Sequence, residues 1–221
     1  MLKHLFCAIG IAAIASPASA FLLTNGGLDD PGVHESDIAN GWTLFEAGGA
    51  NAATFASFAD RTAGPGGVGL WLRSFAGSFD GDAPQFVSAR LSQDVPASPG
   101  VAYTASAWFR YEANYPGTIV GGATETTLGM TFLDAGMGAL GQIVFDVDAA
   151  QDNDGVWRQF FVNGIAPAGT AFVRVYAEMN DGHIVQVNPQ SAFIDDFELV
   201  PSPASPMPLA LAGIAAVRRR R

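Results

Sequence analysis

The sequence predicts an all-β chain folded as an antiparallel β-sandwich of the jelly-roll kind. Two observations carry this. Short stretches rich in Val, Phe, Tyr, Thr and Ala alternate with clusters of Gly, Pro, Asp and Asn, the signature of strands separated by turns. No stretch sustains the period of an amphipathic helix. Many short strands with regular turns close most readily as two packed sheets. The body over 21–199 is one domain of ordinary size, long enough to bury a core.

The elements follow in order. Residues 1–20 read as a secretory signal: Lys3 and His4 form a weakly basic start, 5–14 is apolar, and Ala18-Ser19-Ala20 supplies a small-residue cleavage site. Cleavage after Ala20 starts the mature chain at Phe21. Cys7 lies in the removed segment, so the mature chain has no thiol, disulfide or cysteine ligand. Strands are expected over 53–58, 68–75, 86–94, 101–111, 126–134, 142–147, 156–162, 171–178 and 191–199. Pro96-Ala97-Ser98-Pro99-Gly100 and Pro167-Ala168-Gly169-Thr170 are turns by composition. A Pro/Ser/Ala linker over 200–208 is expected to be extended. A short apolar segment and Arg218-Arg219-Arg220-Arg221 close the chain over 209–221.

Charge narrows the partners. Without its two ends the body keeps six arginines and no lysine against all 21 acidic residues, a formal charge of −15. Such a surface repels nucleic acid and anionic lipid. It suits a salty exterior rich in divalent cations.

A family resemblance runs through the whole body. Leu23-Thr24-Asn25-Gly26-Gly27-Leu28-Asp29 and Ala39-Asn40-Gly41-Trp42 resemble the opening steps of carbohydrate-binding-module-like jelly rolls. Leu91-Ser92-Gln93-Asp94-Val95, followed by Pro99-Gly100-Val101-Ala102-Tyr103-Thr104-Ala105-Ser106-Ala107-Trp108, resembles their central strands. Trp157 and Phe193-Ile194-Asp195-Asp196-Phe197-Glu198-Leu199 complete the order. The resemblance implies a galactose-binding-like sandwich, a fold that hosts sugar binders, adhesins and spacers. It also implies a structural Ca²⁺ between the first and last strands, held by Asp29 with Asp195 or Asp196. Calcium wants several oxygen ligands and tolerates irregular loops. The cluster Asp146, Asp148, Asp152 and Asp154 lacks EF-hand spacing and reads as an acidic turn.

Sugar recognition needs flat rings for the apolar faces of pyranoses and polar groups for their hydroxyls. Alternation along 101–111 places Thr104, Ser106, Trp108 and Arg110 on one face and Tyr103, Ala105, Ala107, Phe109 and Tyr111 on the other. Trp108, Arg110 and, from the following loop, Tyr115 are the candidate carbohydrate-binding residues. Trp108 can equally plug the core, and Trp157 reads as structural.

The chain end resembles the PEP-CTERM sorting signals, in the short Arg-capped version. Val200-Pro201-Ser202-Pro203 stands for the Pro-Glu-Pro pattern, with Ser202 in place of Glu, and the Arg block fits a cytoplasmic stop. The resemblance implies transient inner-membrane anchoring, processing by an exosortase-type enzyme, and delivery to the cell surface or an extracellular polysaccharide matrix.

Catalysis has little to work with. Only His34 and His183 remain in the body, and no His pairing suggests zinc. Glu112, Glu125 and Glu178 show no close-set glycosidase motif. His183 reads as an exposed residue of a hairpin turn. A non-enzymatic domain that binds polysaccharide is the leading expectation; a structural or adhesive matrix protein is the alternative.

Overall fold

The computed structural model describes residues 21–30, 38–47, 52–62, 66–73, 86–113, 115–118, 124–183 and 191–202. The signal segment, Pro203 and the terminal arginines lie outside the described residues.

Among the described residues, ten strands form two five-stranded antiparallel sheets. In chain order they are β1 (Thr43–Ala47), β2 (Ala53–Ala56), β3 (Gly69–Leu72), β4 (Phe86–Pro96), β5 (Ala102–Tyr111), β6 (Glu125–Leu133), β7 (Ala139–Asp146), β8 (Arg158–Ile165), β9 (Phe172–His183) and β10 (Ala192–Ser202). The first sheet runs β1-β4-β9-β6-β7 and the second β2-β3-β10-β5-β8. Two 3₁₀ turns, Ser57–Ala59 and Pro116–Thr118, interrupt the connections.

Alternation builds the core between the sheets. The first sheet turns Leu91, Leu128, Met130, Phe132, Val173 and Val175 inward, and the second turns Leu70, Leu72, Ala105, Ala107, Phe109 and Ile194 against them. Each large apolar side chain buried here contributes roughly 1.5–3 kcal/mol over exposure.

Nine of the ten strands overlap the stretches the sequence assigns to strands, and four differences bear on the site or the chain ends. β1 was not expected: its alternate residues are exposed or half-buried, so it carries no apolar run to announce it. The stretch over 53–58 leaves the sheet after Ala56, where the Ser57–Ala59 turn begins. Over 179–183 the expected turn is replaced by strand: β9 runs on to His183. Asp181 takes a left-handed conformation (φ 48°) and the ladder shifts between Val87 and Ala89, so a bulge absorbs the extra residue and β9 continues. Nor does the linker begin at Val200: Val200, Pro201 and Ser202 stand in register with Thr104, Tyr103 and Ala102, which carries β10 three residues past the expected boundary.

Candidate functional site

β5 behaves as the alternation predicts. Tyr103, Ala105, Ala107, Phe109 and Tyr111 are buried, while Thr104, Trp108 and Arg110 lie half-buried on the outer face of the second sheet; Ser106, expected on that face, is buried, with its hydroxyl bonded to Gln159 and Glu198. Trp108 therefore does not plug the core. Its ring lies under the Arg61 guanidinium at 4.5 Å. Arg110 lies over Trp157 at 5.0 Å and Phe193 at 4.4 Å, and donates to the Phe58 carbonyl at 2.7 Å.

Tyr115 is corrected. It is buried in the core, 4.4 Å from the Tyr111 ring, with its hydroxyl 2.7 Å from Thr126 Oγ1. A loop tyrosine with a polar tip can be swallowed wherever the tip finds a partner. It has no face left for a sugar.

Asp29, Asp195 and Asp196 meet at one edge, joined by Asp60. A bulge in β10 between Asp195 and Glu198, with Asp196 at φ 48°, turns the paired aspartates toward the segment after Phe21. Asp195 is almost wholly buried, and both its oxygens are occupied: the Arg61 N–H donates to Oδ2 at 2.8 Å and the Asp196 N–H to Oδ1 at 2.7 Å. Burial, with Asp196 and Asp60 close by, pushes its carboxyl up to about 8. Burial also raises Asp29, helped by Asp60 and Asp196. Arg61 pairs with Asp196. A Cβ on Gly67 would come within 2.1 Å of Asp60 Oδ2 and 3.1 Å of Asp29 Oδ1, so glycine leaves the carboxylates their space. The donors are the hard oxygens calcium prefers. Among the described residues, no three acidic or histidine side chains close around an ion as they stand.

The acidic turn after β7 is structural. Asp148 accepts from Tyr111 Oη and from the Thr126 N–H, both at 2.6 Å. Asp154 pairs with Arg158 at 2.6 Å.

The sequence gives no sign of a concave polar feature on the first sheet. A groove of about 480 Å³ on the outer face of the first sheet is lined by Gly41, Thr43, Phe45, Arg90, Ser92, Asp94 and Arg174. Register explains it. Phe45 faces Arg90, and Arg90 faces Glu178; Thr43 faces Ser92, and Ser92 faces Tyr176; Asp94 faces Arg174. Cross-strand neighbours of opposite charge attract. Arg90 reaches both Glu178 oxygens at 2.7 Å, and Arg174 grips Asp94 with two bonds of 2.6 and 2.7 Å. Arg90 lies over the Tyr176 ring, its guanidinium carbon 4.8 Å from the ring centroid, and the Tyr176 hydroxyl accepts from Gln142 at 2.5 Å. Gly129 on β6 makes this possible: a Cβ there would sit 1.9 Å from Tyr176 Cζ. Phe45, 63% exposed, forms the wall. Fixed donors and acceptors beside an open ring suit a polyhydroxylated ligand.

Solved structures share this architecture. The enzymatically active domain of tailspike protein 4 of bacteriophage CBA120 matches with TM-score 0.55 and 14% identity, over 82% of this chain and 21% of that one. A Stig cyclase of Fischerella sp. TAU matches with TM-score 0.55 and 13% identity, over 85% of this chain and all of that one. The module TmCBM61, solved with β-1,4-galactotriose, gives TM-score 0.49 and 16% identity over 83% of this chain and all of that one. The chain is an antiparallel jelly-roll sandwich. No protein-family profile matches it, and no curated protein matches it in sequence. At these identities the likeness is one of fold alone.

Proposed function

We propose that the body is a carbohydrate-binding domain whose ligand lies in the groove of the first sheet, and that it acts without catalysis. The observation that carries this is the groove's composition: exposed Phe45 beside two arginine–carboxylate pairs whose geometry is fixed before any ligand arrives. Phe45 takes an apolar sugar face, while Arg90, Ser92, Asp94 and Arg174 serve hydroxyls.

The test is a glycan array probed with the purified protein, with Ca²⁺ and with a chelator. Phe45→Ala should weaken binding about tenfold, the order expected when one stacking contact is lost, with the melting temperature held. Binding that survives this change unaltered, or no glycan bound by a folded protein, overturns the reading. Structural calcium belongs to the same proposal, at Asp29, Asp60 and Asp196. Its binding requires Arg61 to release Asp196, so a melting temperature unmoved by the ion removes it.

Export and sorting complete the proposal. Residues 1–20 direct secretion, and the Arg-ended tail holds the protein at the inner membrane for an exosortase-type enzyme that delivers it to the surface or matrix. Because Val200, Pro201 and Ser202 are paired with β5, processing at the motif first needs the end of β10 to fray. Intact-mass analysis of the surface fraction decides this: a full-length chain there overturns it.

A structural matrix role is favoured by a different observation, the weakly charged apolar flank formed by β7 and β8. Leu140, Val144, Phe161 and Ile165 are exposed along it.

A further inference from the structure

The groove uses two of the body's six arginines, and three others lie on the opposite face, each over an aromatic ring. Arg61 covers Trp108 at 4.5 Å, Arg73 covers Trp71 at 4.6 Å, and Arg110 lies over Trp157 and Phe193. Such stacking is worth roughly 0.5–1 kcal/mol at exposed sites and more where water is excluded. It holds each guanidinium flat, with its edge left for hydrogen bonds.

Arg110 stands apart from the paired arginines. Among the described residues, Arg61, Arg90, Arg158 and Arg174 each form an ion pair with an aspartate or glutamate. Arg110 forms none of these, although acids outnumber arginines 21 to 6 in the body. Its one hydrogen bond is to the neutral Phe58 carbonyl. Glu112 is near enough to favour its charge, but a Glu112 oxygen accepts the Ser191 N–H at 2.9 Å. A half-buried guanidinium between two rings is a site for an anion from outside.

The rings around it are continuous. Phe58, 50% exposed, meets Trp71 edge-on at 4.6 Å and Phe193 at 5.9 Å. Aromatic surface with a fixed cation at its centre matches a sugar ring that bears a carboxylate. A neutral sugar would fill the rings and leave the cation without a counter-ion.

We propose that this face, centred on Arg110 with Phe58 and Trp157, is a second binding site, and that it takes an acidic polysaccharide of the uronate type. The carboxylate of one residue engages the Arg110 guanidinium, and the sugar rings lie on Phe58 and Trp157. With the groove on the other sheet, the domain then presents two binding faces back to back and can join two polymers. This site does not depend on the groove reading.

The test uses polygalacturonate and neutral galactan as probes in affinity electrophoresis of the purified protein. Polygalacturonate fixed in the gel should retard the protein more than neutral galactan does, despite the acidic body, because the contact is local to Arg110. Phe45→Ala should leave that retardation unchanged. Arg110→Gln should weaken it about tenfold or more, the scale of a lost charged hydrogen bond. Arg110→Lys keeps the charge without the planar fork and should fall between. Melting curves establish that the variants fold. The proposal is overturned if polygalacturonate does not bind, if Arg110→Gln leaves binding intact, or if Phe45→Ala abolishes it. Equal retardation by single-stranded DNA or polyglutamate also overturns it, because any polyanion would then serve. Failure of the groove reading appears separately, as glycan-array binding indifferent to Phe45→Ala.

Discussion

Gly129 shows how much one missing atom decides. The Tyr176 ring occupies the place its Cβ would take, and Arg90 lies on that ring. Gly129→Ala must lift the tyrosine, break its bond to Gln142 and tilt Arg90 into the groove. Overpacking of this kind costs about 1–3 kcal/mol. The expected result is a lower melting temperature together with weakened glycan binding. A variant that keeps both would show that Tyr176 does not hold Arg90 in place for a ligand. Single residues were the least legible part of the sequence. Trp108 and Arg110 could be placed on an outer face because one strand's alternation determines its sides. Tyr115 could not, because loop periodicity does not say whether a ring turns inward. The groove was invisible because its halves are far apart in the chain: Asp94 meets Arg174 and Arg90 meets Glu178 only once β4 and β9 pair in register.

Between elements, one carboxylate joins several segments. Asp148, just past β7, binds Tyr111 on β5 and the backbone of Thr126 on β6. Burial pushes it up to about 6, against an ordinary 3.8. The folded protein thus holds this proton more tightly than the unfolded chain does. Its stabilising contribution is complete below the unfolded value near 3.8 and is lost as pH rises through about 6. Comparison with Asp148→Asn isolates it from other titrating groups. In denaturant melts, the stability difference should shift toward the native protein as pH falls from about 7 to about 4. A flat difference, or a shift the other way, refutes this account. Strands themselves were largely legible, because apolar alternation between turn residues is a local signal. What escaped was set by tertiary partners: β1 has meaning only against β4, and the bulges in β9 and β10 depend on left-handed aspartates that composition does not mark.

For the whole molecule, the question is what keeps two copies apart. The sandwich has two flanks. On one, β1 and β2 are short, and Glu46 on β1 accepts the backbone N–H groups of Ala52 and Ala53, which ties the two edges together. On the other, β7 and β8 are eight residues each and end their sheets. Each carries a single charge, Asp146 on β7 and Arg158 on β8. Phe145 stacks on Phe160 at 5.3 Å to close the gap between them, while Val144, Phe161 and Ile165 stay exposed. Edge strands of soluble proteins are usually protected by charge, proline or brevity, and these have little of any. The net charge of the body takes over that role at long range. Repulsion between copies of charge −15 extends about 30 Å at 0.01 M salt and about 3 Å at 1 M. Self-association should therefore be weak at low ionic strength and rise as salt screens the acids. Val144→Lys with Ile165→Lys should suppress it, because a lysine on each edge restores the missing protection. Sedimentation velocity across a salt series measures this. A monomer at every salt and concentration would remove the flank as an assembly surface, and association untouched by the two lysines would place the contact elsewhere. Association that appears with salt and vanishes with the lysines would give the matrix role a physical basis independent of sugar binding.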